Sequence, residues 1–225
     1  MRLTYYGHSC FLLEVNGKRL LFDPFIRPNS LAANINLKTL SADYMLISHG
    51  HEDHLADSIE LAVQTGALVI SNWEICQWLT KQGVQNTLPM NIGGKKIFDF
   101  GNLKCVTAIH SSSFSDGSYA GNPMGFVIKS DKTVYYAGDT ALTMDMQLVA
   151  QGSPVDVCIL PIGDHFTMGF EDAAKAAHLI QCRDIVGVHY NTFPYIEIDT
   201  AMVKEHFKKN GLHLLLPSVG ETIDL

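Results

Sequence analysis

Residues 44–54, YMLISHGHEDH, decide how the rest of the chain is read. The run Tyr44 to Ile47 has the composition of a buried strand and gives way abruptly to Ser48. His49-Gly50-His51-Glu52-Asp53-His54 then places three imidazoles and the Asp53 carboxylate within six residues. Imidazole and carboxylate without thiolate suit Zn²⁺, and also Mn²⁺ or Fe²⁺. His49 and His51 alternate along an extended turn, so both rings can reach one ion. Asp53 and His54 bend onto a second position where a helix begins. The competing reading, a solvated turn with Asp53 as a helix cap, leaves the density of histidines unexplained.

Three further metal-capable residues occupy the same kind of place as His49. His110 ends the run CVTAI, Asp139 ends VYYAG, and His189 ends DIVGV. Side chains at the C-terminal ends of buried strands converge where α/β sheets place their sites. The set of five histidines and two aspartates suffices for two divalent cations, with one carboxylate and a hydroxide between them.

Short apolar or β-branched runs fill the space between these residues. LTYYG, CFLLEV, KRLLFD, LVIS, KKIFDF and LKCVTAIH read as strands in the first half, and GFVIKS, TVYYAGD, VCILPI, DIVGVHY and HLLLPSV in the second. Asn16-Gly17 between two of them is a strong hairpin signal. Residues 57–65, 73–82, 171–181 and 200–210 have helical apolar spacing, with Gly66 and Gly83 where C-terminal caps belong. Gly93-Gly94 lacks the spacing of a phosphate loop and is expected to turn a hairpin. Two rounds of strands then helices, with no linker between them, predict an α/β fold of two similar halves in one domain, 1–225. The polar stretch 111–125 and the segment 27–36 are candidate functional loops.

Composition limits the partners. The chain has 225 residues and a net charge of −7, which argues against nucleic acid, and no apolar run approaches a membrane span. A folded surface of about 10,000 Å² is expected at this size, enough to enclose a substantial core. Five scattered cysteines without a CxxC pair, and no signal-peptide pattern, predict reduced thiols in the cytoplasm. Nothing marks a subunit interface, so a homo-oligomer is left open.

The order His49, His51, Asp53, His54, His110, Asp139, His189 resembles the H-x-H-x-D-H signature and distant His, Asp and His of the metallo-β-lactamase superfamily. The resemblance spans nearly the whole chain and implies a four-layer αββα sandwich. GHSCFLLE, FDPF, LPIG and HYNTFP further resemble its small metal-dependent hydrolases, a branch similar to ascorbate-6-phosphate lactonase. It implies that His49, His51 and His110 serve one metal, Asp53, His54 and His189 the other, and that Asp139 bridges them. The implied activity is hydrolysis of a small ester, lactone or phosphoester by a metal-bridging hydroxide whose proton Asp53 holds. His at position 51, where di-iron flavoproteins of the superfamily carry Glu, favours zinc hydrolysis over oxygen reduction.

His8 and His165 join Asp53 as candidate catalytic groups, His8 because the resembling family has a histidine there and His165 because it follows the strand VCILPI. Ser111, Ser112 and Ser113 are candidates to bind substrate or orient His110, and Tyr190 and Asn191 to line the pocket. His178, His206 and His213 read as ordinary histidines. The rival readings are a phosphodiesterase of a cyclic nucleotide or phospholipid head group, for which Arg27 and Lys38 are the nearest cations, and a metal-binding sensor without catalysis.

Overall fold

In a computed structural model, which describes residues 1–151 and 153–225, the alternation of side chains along each strand produces two sheets and three apolar layers. The first half supplies β1 (Arg2–Gly7), β2 (Cys10–Val15), β3 (Lys18–Phe22), β4 (Tyr44–Leu46), β5 (Leu68–Ser71) and β6 (Thr87–Pro89). From the second half come β7 (Lys95–Phe98), β8 (Gly101–Thr107), β9 (Met124–Lys129), β10 (Thr133–Tyr136), β11 (Val157–Pro161), β12 (Asp184–Val188) and β13 (His213–Leu215). A last strand, β14 (Thr222–Asp224), returns to pair with β1. The sheet orders are β14-β1-β2-β3-β4-β5-β6 and β13-β12-β11-β10-β9-β8-β7. Each sheet passes from antiparallel to parallel pairing along its length, at β3–β4 in one and β10–β11 in the other. The two halves therefore repeat one plan.

Leu20 and Phe22 of β3 face the second sheet, where Phe126 and Tyr136 meet them, while Leu21 faces outward. Outward residues of the first sheet, Met45 and Val69 among them, pack on α2 (Ser58–Thr65) and α3 (Trp73–Lys81) through Leu61, Ile75 and Leu79. Those of the second, including Tyr135, Cys158 and Ile185, pack on α5 (Phe170–Ile180) and α6 (Thr200–Lys209) through Ala173, Ala177, Val203 and Phe207. The order of layers is helix, sheet, sheet, helix, as expected, and 9780 Å² of surface is exposed.

The Asn16-Gly17 hairpin forms, with both residues left-handed at φ 49° and 72°. Gly66 caps α2 in the left-handed region as predicted. Gly93-Gly94 does not turn a hairpin: β6 and β7 lie in different sheets, and the pair forms the tight turn through which the chain crosses between them. A helix, α1 (Glu52–Leu55), begins where Asp53 and His54 lie, as expected, whereas sequence patterning missed the three-residue strands β6 and β14 and the one-turn helix α4 (Gln147–Ala150), all too short to show a period. No helix among the described residues is long and apolar enough to cross a membrane.

Candidate metal centre

The strands carrying the predicted ligands end earlier than the apolar runs suggest, and the ligands lie just beyond them. β4 ends at Leu46, β8 at Thr107 and β10 at Tyr136, each three residues before its ligand, while His189 directly follows β12. His51 is still extended (φ −69°, ψ 148°) as it enters α1, so Asp53 and His54 project from the first turn of a helix. Gly50 lets this loop pass under the 111–121 loop, because a Cβ there would lie 2.2 Å from Ala120 Cβ. Gly163 does the same beside His189, whose carbonyl oxygen would lie 2.2 Å from an added Cβ.

All seven predicted ligands meet. Asp139 is central: its Oδ2 lies 3.0 Å from His189 Nε2, 3.2 Å from His54 Nε2, 3.7 Å from His110 Nε2 and 3.9 Å from His49 Nε2. On one side His49, His51 and His110 gather ligand atoms within 4.8 Å of one another, and on the other His8, Asp53, His54 and His189 do so. Asp53 Oδ2 is 3.8 Å from His189 Nε2 and 3.9 Å from His54 Nε2. At this point the buried atoms His54 Nε2 and Asp139 Oδ1 have no hydrogen-bond partner among the described residues. Leaving such atoms unpaired costs about 1–3 kcal/mol each, so a pair of them at a point of converging imidazoles and carboxylates fits a resident divalent cation.

The electrostatics agree. Burial holds the imidazoles of His49, His51 and His110 below their ordinary pKa, in the neutral form that donates a lone pair. Burial alone would raise Asp53 and Asp139. The imidazoles of His54 and His8 beside Asp53, and of His189 and His54 beside Asp139, outweigh it and keep both carboxylates ionised. Burial opposes a proton on His54, but Asp139, Asp53 and Asp23 prevail and raise its pKa.

Sequence reading overlooked the group that orients these rings. Asp23, fully buried just after β3, accepts His54 Nδ1–H at 2.9 Å, Ser48 Oγ–H at 2.6 Å, Ser48 N–H at 2.7 Å and Tyr136 Oη–H at 2.5 Å. Since Ser48 gives its proton to Asp23, its oxygen accepts from His49 Nδ1 at 3.0 Å. Both rings thus present Nε2 to the site. Asp23 sits at a strand end in FDPF, as the ligands do in their own runs, and that place is the one signal that could have exposed it.

His8 lies behind Asp53, wholly buried, with Nε2 3.0 Å from Asp53 Oδ2 and Nδ1 3.1 Å from Thr192 Oγ1. Burial and the neighbouring His189 push its pKa down to about 4, so the neutral ring donates from Nε2 to the carboxylate, with Nδ1 turned to the Thr192 hydroxyl. His165 does not reach the cluster. It is exposed in a turn where Asp164 and His165 are both left-handed (φ 64° and 59°), and its ring stacks on Tyr195 at 5.0 Å. The serines serve His51 and its neighbour Gly50 rather than His110: Ser111 Oγ is 3.4 Å from His51 Nε2, and Ser112 Oγ accepts from Gly50 N–H. Ser113 is occupied in a β-bridge with Tyr119. Tyr190 and Asn191 do not line the site; Asn191 instead braces its own loop by accepting from Ile198 N–H at 2.7 Å. His178, His206 and His213 lie away from it, His213 paired with Asp184 at 3.0 Å.

The candidate ligands open into a cleft of about 270 Å³ lined by His51, Asp53, His110, Ser111, Asp139, Phe166, His189 and Phe193. Neither phenylalanine had been picked out from the sequence. Its floor is polar and ionised, and its walls are apolar. That arrangement can hold a small molecule against bound cations while limiting water.

Comparisons with known proteins agree with this geometry. Residues 2–189 match the family model described as a β-lactamase superfamily domain. The chain is 48% identical to a UPF0173 metal-dependent hydrolase of Methylacidiphilum infernorum and 49% identical to one of Flavobacterium johnsoniae, in each case over the full length of both chains. Among solved structures it is similar to Igni18, a metallo hydrolase of the archaeon Ignicoccus hospitalis, with a TM-score of 0.88, 38% identity and coverage of 99% of this chain and 97% of that one. An isothiocyanate hydrolase from gut bacteria of Delia radicum shares the fold, with a TM-score of 0.82 at 22% identity, covering 100% of this chain and 99% of that one.

Proposed function

The chain belongs to the metallo-β-lactamase superfamily as a metal-dependent hydrolase, and from that premise we propose that its site holds two zinc ions and cleaves a small ester, lactone or phosphoester. His49, His51 and His110 would hold one ion and Asp53, His54 and His189 the other, with Asp139 shared. The observation that carries this reading is Asp139, whose Oδ2 has four imidazole nitrogens within 3.9 Å while its Oδ1 is buried and unpaired. Nitrogen and oxygen donors without sulfur suit zinc. Bound there, the ions would polarise the substrate oxygen and bring the pKa of a water down to about 7.

The chain's own groups do the rest. Asp53, ionised and reachable from the cleft, is placed to accept a hydrogen bond from the attacking water or hydroxide and hold its proton in place. His8 donates to that carboxylate from behind and fixes its direction; its place out of the cleft makes it a positioning residue. Ser111 steadies His51, and Phe166 and Phe193 exclude bulk water. Lactone as the substrate rests on sequence resemblance alone. Five buried free thiols favour a reducing compartment such as the cytoplasm.

The test is metal analysis of the purified protein together with a substrate screen. Two ions per chain are expected, and Asp53→Ala or His51→Ala should abolish turnover while the circular dichroism spectrum is unchanged. Undiminished turnover in either variant would refute the assignment.

A further inference from the structure

The cleft holds a second kind of information, in what surrounds the carboxylates. None of the eight residues lining it is Lys or Arg. The two cations expected from the sequence are committed or absent: Arg27 pairs with Glu60 on the surface, and Lys38 is not part of the cleft. Its floor is formed by the carboxylates of Asp139, buried, and Asp53, half-buried, together with the candidate histidine ligands. A substrate with a second anionic group would therefore have no side-chain counter-ion in the walls. The surrounding chain carries a net charge of −7 before any bound cation is counted.

Aromatic rings take the place of cations. Phe166 and Phe193 form walls of the cleft, and Phe193 packs edge-on against His8 at 5.3 Å. Phe166 continues outward into a cluster with His165 at 4.6 Å and Tyr195 at 6.1 Å, while His165 and Tyr195 stack on each other. Phe166 is 49% exposed and Tyr195 69% exposed, an unusual cost for adjacent rings unless something apolar covers them. The turn that presents Phe166 is built against backbone preference. Asp164 and His165 are left-handed without being glycine, and the bridge from Gly163 to Gly169 holds them there.

We infer that the substrate is an uncharged acyl compound with an aromatic or bulky apolar arm, and that Phe166, with Tyr195 and His165 behind it, grips that arm. The inference rests on the hydrolytic reading above and narrows it: substrates that carry an anionic group besides the reacting one, phosphorylated lactones among them, are disfavoured. His165 then acts by stacking behind the aromatic wall rather than by proton transfer.

The test uses the full-length, zinc-reconstituted protein and four 4-nitrophenyl esters: acetate, valerate, phenylacetate and the glutarate half-ester. Each reaction consumes one water, breaks the acyl C–O bond and releases 4-nitrophenol and the acid. The half-ester matches valerate in length but ends in a carboxylate. Valerate and phenylacetate should exceed the half-ester in kcat/KM by roughly tenfold or more, the scale of a well-made apolar contact. Phe166→Ala should remove most of the preference for phenylacetate over acetate, acting through KM, and Tyr195→Ala should remove part of it. Equal turnover of half-ester and valerate, or an unchanged phenylacetate-to-acetate ratio in Phe166→Ala, would overturn the inference. If no ester is cleaved, that counts against the hydrolytic reading, and the aromatic wall is judged by binding of phenylacetamide in saturation-transfer NMR. Binding that is lost in Phe166→Ala upholds the wall; absent or unaltered binding overturns it.

Discussion

Asp23 shows how much of a metal site can depend on a residue that is not among its ligands. It accepts four hydrogen bonds, from His54, Ser48 twice and Tyr136, and through Ser48 it also sets His49. Asp23→Asn keeps the shape but puts an N–H where a donor now arrives. We expect zinc affinity to fall by about 10–100-fold, read by competition with a chromophoric chelator, with the ligands themselves intact. The imidazoles give a pH dependence at the same scale. His8 titrates near 4 in the fold, and burial lowers His49, His51 and His110 as well, whereas an unfolded histidine titrates near 6.5. Below about 6.5 the unfolded chain binds protons that the metal-free fold refuses, so stability is lost as pH falls toward 4, by up to ~1.4 kcal/mol per pH unit for each proton. His54 does not offset this: its raised pKa gives stability that is fully present below about 6.5 and is lost only at higher pH. The urea midpoint of metal-free protein should therefore drop between pH 7 and pH 5; a flat profile would contradict the burial of neutral rings.

Among the elements, the 111–121 loop and the turn His49–His51 depend on each other. Phe114 stacks on Trp78 of α3 at 4.8 Å and anchors the loop, and Ser112 holds it to Gly50. Gly50→Ala would drive a methyl group into Ala120, at a cost of about 1–3 kcal/mol, and shift the two histidines on either side. Thermal denaturation should show the loss, and the double variant Gly50→Ala, Ala120→Gly should regain much of it. How legible such elements are in the sequence follows their length and period. The long runs that became β2, β9, β11, α5 and α6 declared themselves, and so did the residues that converge at the candidate centre, because chemistry at a strand end interrupts an apolar run. Three-residue strands such as β6 and β14 leave no period to read, and the crossing at Gly93-Gly94 looks locally like any tight turn. The aromatic wall was hidden for another reason. Phe166 and Phe193 lie on separate loops, and only the packed molecule brings them to one cleft.

For the molecule as a whole, the proposed ligands divide between the two halves: His49, His51, Asp53 and His54 follow β4, while His110, Asp139 and His189 follow strands of the second sheet. Bound cations would tie one half to the other. Chelation should thus lower Tm for the entire fold and not only loosen a loop: at a free metal concentration 1,000 times Kd the contribution is ~4 kcal/mol, or about 8–16 °C for a chain of this length. A Tm indifferent to chelator would place the metal outside the folded core. The crossing at Gly93-Gly94 adds a consequence. A chain severed at that turn would leave β1–β6 on one fragment and β7–β14 on the other, with β14 still able to clasp β1. Each piece would carry part of both proposed coordination sets, so reassembly of the pair should report on zinc, turning the junction into a split sensor whose signal is the restoration of activity.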